Sequence, residues 1–116
     1  MSDEQARRVG LNESLFRKVN ERIEELNRVF SQVDPVGLWV CECADQACIA
    51  QMQISIDDYE AIRRHPTWFP VIRGHEVAGI ERIVASHDGY VVVEKLGPGK
   101  DVAVATDPRA QVKQSA

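Results

Sequence analysis

The sequence predicts an α+β domain in which a long N-terminal helix packs on a small antiparallel sheet. Three observations carry this expectation. Apolar residues recur in steps of three and four at Phe16, Val19, Ile23, Leu26 and Phe30, the spacing of one helical face. Residues 37–43 and 49–56 read as strands, the second alternating Ala50, Met52, Ile54 and Ile56 against Gln51, Gln53 and Ser55. Asp88-Gly89 is a hairpin turn signal, and the β-branched run that follows from Tyr90 reads as a further strand. The chain has 116 residues, 44% hydrophobic and 28% charged, as in an ordinary soluble globular domain. At this length roughly 65% of the unfolded surface can be buried, which suffices for one core but not two.

Residues 1–10 are polar and end at Gly10, so a flexible N-terminus is expected there. A helix is predicted over 12–32, with Asn12 as its cap and Asp34-Pro35 as its stop, because proline pushes the preceding residue out of the helical region. The opposite face carries Arg17, Lys18, Glu21, Arg22, Glu25 and Arg28 and is expected to be solvated. Burial of the apolar face on the same chain is the preferred reading. The same positions keep heptad spacing for about two heptads, fewer than a coiled coil needs unaided, so a homodimer through residues 12–32 is the alternative.

The two strands over 37–43 and 49–56 are expected to pair as a hairpin. Ser55, with Asp58 three residues on, reads as the cap of a short helix over 57–64 that ends at His65-Pro66. Trp68, Phe69, Val71 and Ile72 form an apolar run before a turn at Arg73-Gly74-His75-Glu76. Residues 80–85 suit strand or helix. Asp88-Gly89 suits a primed two-residue turn, which needs positive φ at both central positions. After Gly97-Pro98-Gly99, residues 101–106 alternate like a weak edge strand, and 107–116 read as a tail. The predicted organisation is a flexible segment over 1–10, a single α+β domain over 11–96, and a weak edge strand with a flexible tail over 97–116.

Fourteen Lys and Arg against eighteen Asp and Glu leave a net charge of −4, so no global positive field exists to attract nucleic acid or anionic lipid. No apolar run approaches the ~20 residues of a membrane span, and the acidic start Met1-Ser2-Asp3-Glu4 does not resemble a signal peptide. A cytoplasmic location is expected. The three cysteines are odd in number and lie within eight positions of one another, which favours metal binding or thiol chemistry over disulfide stapling.

Cys41 and Cys43 are two apart, so on an extended strand both sulfurs project from one face. A turn through 44–47 returns Cys48 to the same point, giving three of the four tetrahedral positions that Zn²⁺ prefers. Three histidines are candidates for the fourth. His75 is preferred because Gly74 allows a tight turn that approaches another segment closely, whereas His65 and His87 sit in ordinary surface settings. The predicted ligand set is Cys41, Cys43, Cys48 and His75, holding Zn²⁺ that clasps the hairpin to the rest of the domain. Three clustered cysteines without metal are the bland alternative, since free cysteine behaves as a small hydrophobe.

The C-x-C-x4-C spacing resembles, over eight residues, the zinc segment that follows SET methyltransferase domains, where a distant residue completes the site. A wider pattern also stands out: C-E-C-x-D-x-x-C, S-I-D-D-Y-E-A-I-R-R-H-P-T-W-F-P-V, G-H-E, E-R-I-V and Y-V-V-V-E-K, in that order. Over about residues 13–96 it resembles a group of short uncharacterised proteins of actinobacteria and related bacteria. Val77-Ala78-Gly79 departs from the acidic or proline-containing stretch expected there. The resemblance implies a small stand-alone protein and a Cys3His site, and carries no activity with it.

A structural Cys3His site points to a regulatory or protein-interaction module with another protein as partner and no catalytic residues. Three other classes compete. A small zinc hydrolase would use Glu76 as general base, although residues adjacent in sequence rarely face one substrate. A redox-sensitive zinc-thiolate switch would release metal on oxidation. Nucleic-acid binding would rest on Arg63-Arg64-His65 with Trp68 and Phe69 as stacking rings, against the expectation that both rings are core.

Overall fold

The computed structural model describes residues 3–30, 36–43, 45, 47, 48 and 50–109, with the side chain of Phe30 outside the description. The expected helix stop at Asp34-Pro35, the strand start at Ile49 and the tail beyond Arg109 lie outside the described residues. The elements are α1 (Asp3–Phe30), β1 (Val36–Val40), β2 (Gln51–Ser55), α2 (Ile56–Arg63), β3 (Trp68–Ile72), β4 (Glu81–Ser86), β5 (Tyr90–Lys95) and α3 (Pro98–Ala105). This is the α+β architecture of a long N-terminal helix with small antiparallel sheets. There are two sheets where one was expected: the hairpin β1-β2, and a three-stranded sheet in the order β3-β5-β4.

Alternation sets the hairpin register. Val36 pairs with Ser55 and Val40 with Gln51, so that Trp39, Met52 and Ile54 turn inward while Leu38, Gln51 and Gln53 turn outward. Trp39 stacks on Tyr59 with ring centroids 3.9 Å apart, and its indole N–H donates to the Ile54 carbonyl at 2.8 Å. Ser55 caps α2 as its spacing predicts: its hydroxyl accepts the Asp58 N–H at 3.1 Å. Residues 80–85, ambiguous in sequence, belong largely to β4, which pairs with β5 through a bulge between Ile83 and Ala85.

The β4-β5 hairpin turn differs from the expected one. His87 N–H donates to the Tyr90 carbonyl at 2.9 Å, but only Gly89 has positive φ, at 82°. A single left-handed residue at the second central position is the type II pattern, and Asp88 escapes the strain that a primed turn imposes on a residue with a Cβ.

Two corrections concern the helices. α1 begins at Asp3 rather than near Asn12, so residues 3–10 are not a flexible arm. Asp3 and Glu4 suit the positive end of a helix dipole, and Ala6 and Gly10 are buried. The buried face is also turned part of the way round the helix from the expected one. Of the described members of the expected stripe, Val19 and Leu26 are 39% and 62% exposed and Phe16 and Ile23 are half-buried, while Glu13, Ser14, Arg17, Asn20 and Glu24 are buried. The turn follows from partners supplied by distant parts of the chain. Lys95 bonds Glu13, the Arg17 guanidinium donates to the carbonyls of Pro66 at 2.6 Å and Ala103 at 3.2 Å, and the Asn20 side chain both donates to and accepts from Val40 backbone.

The second correction is α3, a helix where a weak edge strand was expected at 101–106. Pro98 at the first helical positions loses no needed N–H, and the buried residues Gly99, Val102 and Ala103 stand three and four apart, the spacing of one helical face. α3 lies against the N-terminal half of α1, so closely that a Cβ on Gly10 would come within 3.2 Å of Gly99 Cα. Among the described residues, no helix is long and apolar enough to cross a membrane.

Candidate metal centre

β1 ends at Val40, one residue before the first cysteine, so Cys41 and Cys43 lie just beyond the strand on which they were expected. Two backbone bonds hold this extension: Cys41 N–H donates to the Ala50 carbonyl at 3.0 Å, and Glu42 N–H to the Pro70 carbonyl at 3.1 Å. The second links the hairpin to β3. Alternation persists here, with Glu42 reaching Asn20 while Cys41 approaches His75. Asp45 then shapes the return of Cys48. Its carboxylate accepts the Ala47 N–H at 2.9 Å, an Asx turn, and its carbonyl accepts the Cys48 N–H at 3.0 Å.

The fourth residue arrives on the turn after β3. His75 N–H donates to the Ile72 carbonyl at 2.9 Å, and Gly74 has a φ of 96°, a left-handed conformation that residues with a Cβ rarely adopt. The Glu76 carboxylate accepts the Gly74 N–H at 3.1 Å and so tightens this turn.

The structure brings Cys41, Cys43, Cys48 and His75 together, with one donor atom from each lying within 4.8 Å of all the others. His75 Nδ1 is 3.5 Å from Cys41 Sγ and 3.7 Å from Cys48 Sγ. A regular tetrahedron around Zn²⁺ with bonds of ~2.3 Å to sulfur and ~2.05 Å to nitrogen separates S from N by about 3.6 Å. The two measured separations agree with it. Nδ1, not Nε2, is therefore the nitrogen turned to the sulfurs.

The corner is buried on one side and open on the other. Cys41 and Cys43 are buried, Cys48 is half-buried and His75 exposed. Phe69, Val71, Val91, Val93 and Ala103 pack in one apolar cluster with the two buried cysteines. Burial pushes both the Cys41 and Cys43 thiols up, and the neighbouring sulfurs add to the rise at Cys41. The Ile72 N–H, donated to Cys41 Sγ at 3.2 Å, acts in the opposite sense. Such a donor is what a thiolate accepts when a cation supplies the missing charge. A recess of about 270 Å³, lined by Cys43, Asp45, His75 and Val77, opens beside the four residues.

The other sequence candidates lie elsewhere. His65 stacks on Trp68 at 3.7 Å and His87 on Tyr90 at 4.7 Å, and neither belongs to the cluster. Glu76 is engaged with its own turn, not poised as a base over the sulfurs. Arg63 is buried in ion pairs with Glu21 at 2.6 Å and Asp107 at 2.5 Å, and Phe69 is core beneath the Arg17 guanidinium. The basic and aromatic patch considered for nucleic acid is therefore dispersed. Sequence reasoning missed the Ile72 N–H, which no side-chain pattern signals, and the role of Asp45, whose position two before Ala47 is a legible Asx-turn signal. Compared with models of protein families, with curated proteins and with solved structures, the chain matches none.

Proposed function

We propose that this chain is a small regulatory or protein-interaction module built around a structural zinc site, with Cys41, Cys43, Cys48 and His75 as the ligands. The observation that carries the reading is the convergence of four donor atoms within 4.8 Å from two separate loops, one between β1 and β2 and one after β3. Zinc bound there ties the hairpin to the three-stranded sheet. Three thiolates and an imidazole close the tetrahedron, leaving no position for an activated water, so the site stabilises and does not catalyse. Free thiols fit a reducing compartment such as the cytoplasm.

Elemental analysis of protein purified without chelator tests the reading, with one zinc per chain expected. Absence of zinc, with all three thiols freely titratable in the folded protein, overturns it. The readout of His75→Ala is weaker zinc retention, while His65→Ala and His87→Ala retain it fully.

One feature favours a second reading, a redox-responsive zinc-thiolate switch. Cys48 is only half-buried while sharing the cluster with two buried thiols, so a peroxide reaches it first. Zinc release on titration with hydrogen peroxide, reversed by thiol reductant and blocked in Cys48→Ser protein reloaded with zinc, is the outcome this reading requires.

A further inference from the structure

α1 presents two faces of opposite character, and the outer one is unaccounted for by the fold. Glu13, Arg17, Asn20 and Glu24 face the interior, and Leu11, Leu15, Val19, Leu26 and Val29 are exposed. At ~100° per residue the exposed set falls within a stripe less than a quarter of the way round the helix, diametrically opposite the buried set. The stripe between Leu11 and Val29 is about 28 Å long at 1.5 Å per residue.

The order of residues along this stripe selects its partner. In heptad terms Asn12, Val19 and Leu26 occupy one seam position and Leu15, Arg22 and Val29 the other, with Lys18 and Glu25 on one flank and Phe16 and Ile23 on the other. Two copies side by side in parallel bring Arg22 against the partner's Arg22 within the seam, a like-charge contact. Two copies in antiparallel array bring Leu15 against the partner's Leu26 and Phe16 against the partner's Ile23. The same register sets Lys18 against the partner's Glu25, and two-fold symmetry repeats each contact. Lys18 and Glu25 are both exposed, and Phe16 and Ile23 are half-buried, so all four are within reach of a second helix.

We propose that the outer face of α1 is the surface through which two copies of this chain associate, with their α1 helices antiparallel and Lys18 paired with the partner's Glu25. The apolar stripe supplies the association and the charges fix its direction. Arg22, beside the partner's Val19, covers it with its aliphatic stem and keeps its guanidinium in water. This face is remote in function from the metal corner, since none of its residues is a proposed ligand, and the inference goes beyond the zinc reading.

Sedimentation equilibrium of the full, metal-replete chain tests it. The parent is expected to dimerise, and Leu15→Glu/Leu26→Glu to be monomeric with unchanged zinc content and circular dichroism. Lys18→Glu alone sets two carboxylates against each other at the partner's Glu25, and Glu25→Lys alone sets two ammonium groups together; each is expected to weaken the dimer about tenfold, as two exposed ion pairs become repulsive. An equimolar mixture of these two variants restores parental affinity, because each then supplies the charge the other lacks. These charge variants alter only exposed positions and keep the test decisive if the double glutamate variant fails to fold. A parent that remains monomeric at about 1 mM, where even weak specific pairs form, overturns the proposal and leaves the face to a different protein. A dimer that survives Leu15→Glu/Leu26→Glu, or charge variants that mixing does not rescue, overturns it equally.

Discussion

At the corner of Cys41, Cys43, Cys48 and His75, acidic donors gather with no lysine or arginine bonded to them among the described residues, whereas the interior beneath α1 buries carboxylates beside cations of the same chain. Lys95 bonds Glu13 and Glu81, all three fully or nearly buried, and Arg63 bonds Asp107. Burial, followed by the neighbouring Glu81, holds the Glu13 carboxyl well above its usual range, while Glu81 is lowered, so one negative charge rather than two faces Lys95. The two regions solve one problem, the burial of ionisable groups, by different means. One carries its own counter-charge, and the other gathers donor atoms that could hold a cation from solution.

The largest expected effect breaks the corner. Zinc ligation in small metal-dependent domains contributes about 10 kcal/mol or more to folding, so Cys43→Ser or chelator is expected to destabilise by at least about 4 kcal/mol, read by urea unfolding. A Cys43→Ser protein as stable as the parent reduces the corner to clustered thiols. Next comes Lys95→Met, which leaves Glu13 and Glu81 buried without their cation and is expected to cost about 3–5 kcal/mol while zinc stoichiometry stays at one. Loss of metal in this variant would show that the two regions are energetically one.

A smaller effect is expected at the rim of the same interior, where the Arg109 guanidinium bonds Glu21, Glu24 and Glu60. Arg109→Ala is expected to cost about 1–3 kcal/mol as charge-assisted bonds are lost. Arg109 holds the Glu60 carboxyl down at about 2 from a usual 4.5. A lowered carboxylate contributes stability that is present above the usual value and lost as pH falls through this window, because the unfolded chain then binds the proton first. Glu60→Gln should therefore be less stable than the parent at pH 7, and the difference should vanish between about pH 4.5 and 2. A difference independent of pH would show that the ion pair adds nothing. The smallest effect is at His65→Ala, which loses only its stacking on Trp68, about 1 kcal/mol or less, and leaves zinc unchanged.

The parts of the molecule legible in the sequence are those whose partners lie close along the chain. Ser55 and Asp58, three apart, form the cap they suggest, and Cys41, Cys43 and Cys48 gather through one short loop. His75 stands out because of Gly74 beside it, a local signal again. α1 misleads because the amphipathic rule turns apolar residues inward. Here Glu13, Arg17 and Asn20 are buried instead, bonded to Lys95, to Pro66 and Ala103 carbonyls, and to Val40 and Glu42, none of which is near in sequence. Nor does periodicity over six residues separate the segment from Asp101 to Thr106 as strand from the same residues as helix, and Pro98, read as a break, is also a helix opener.

The contact between α1 and α3 bears on the order in which the chain assembles. The hydroxyls of Thr106 and Ser14 share a hydrogen bond across 92 positions, and Arg17 reaches the Ala103 carbonyl across 86. Closing loops of that length is entropically costly and slow. During synthesis at about 5–20 residues per second, α1 leaves the ribosome several seconds before α3, with Glu13 and Arg17 still hydrated and the cysteine hairpin already complete. Hydrogen-exchange labelling during refolding should therefore find the β1-β2 amides protected early and those of α3 last, the docking of α3 being the step that finally dehydrates the polar side of α1.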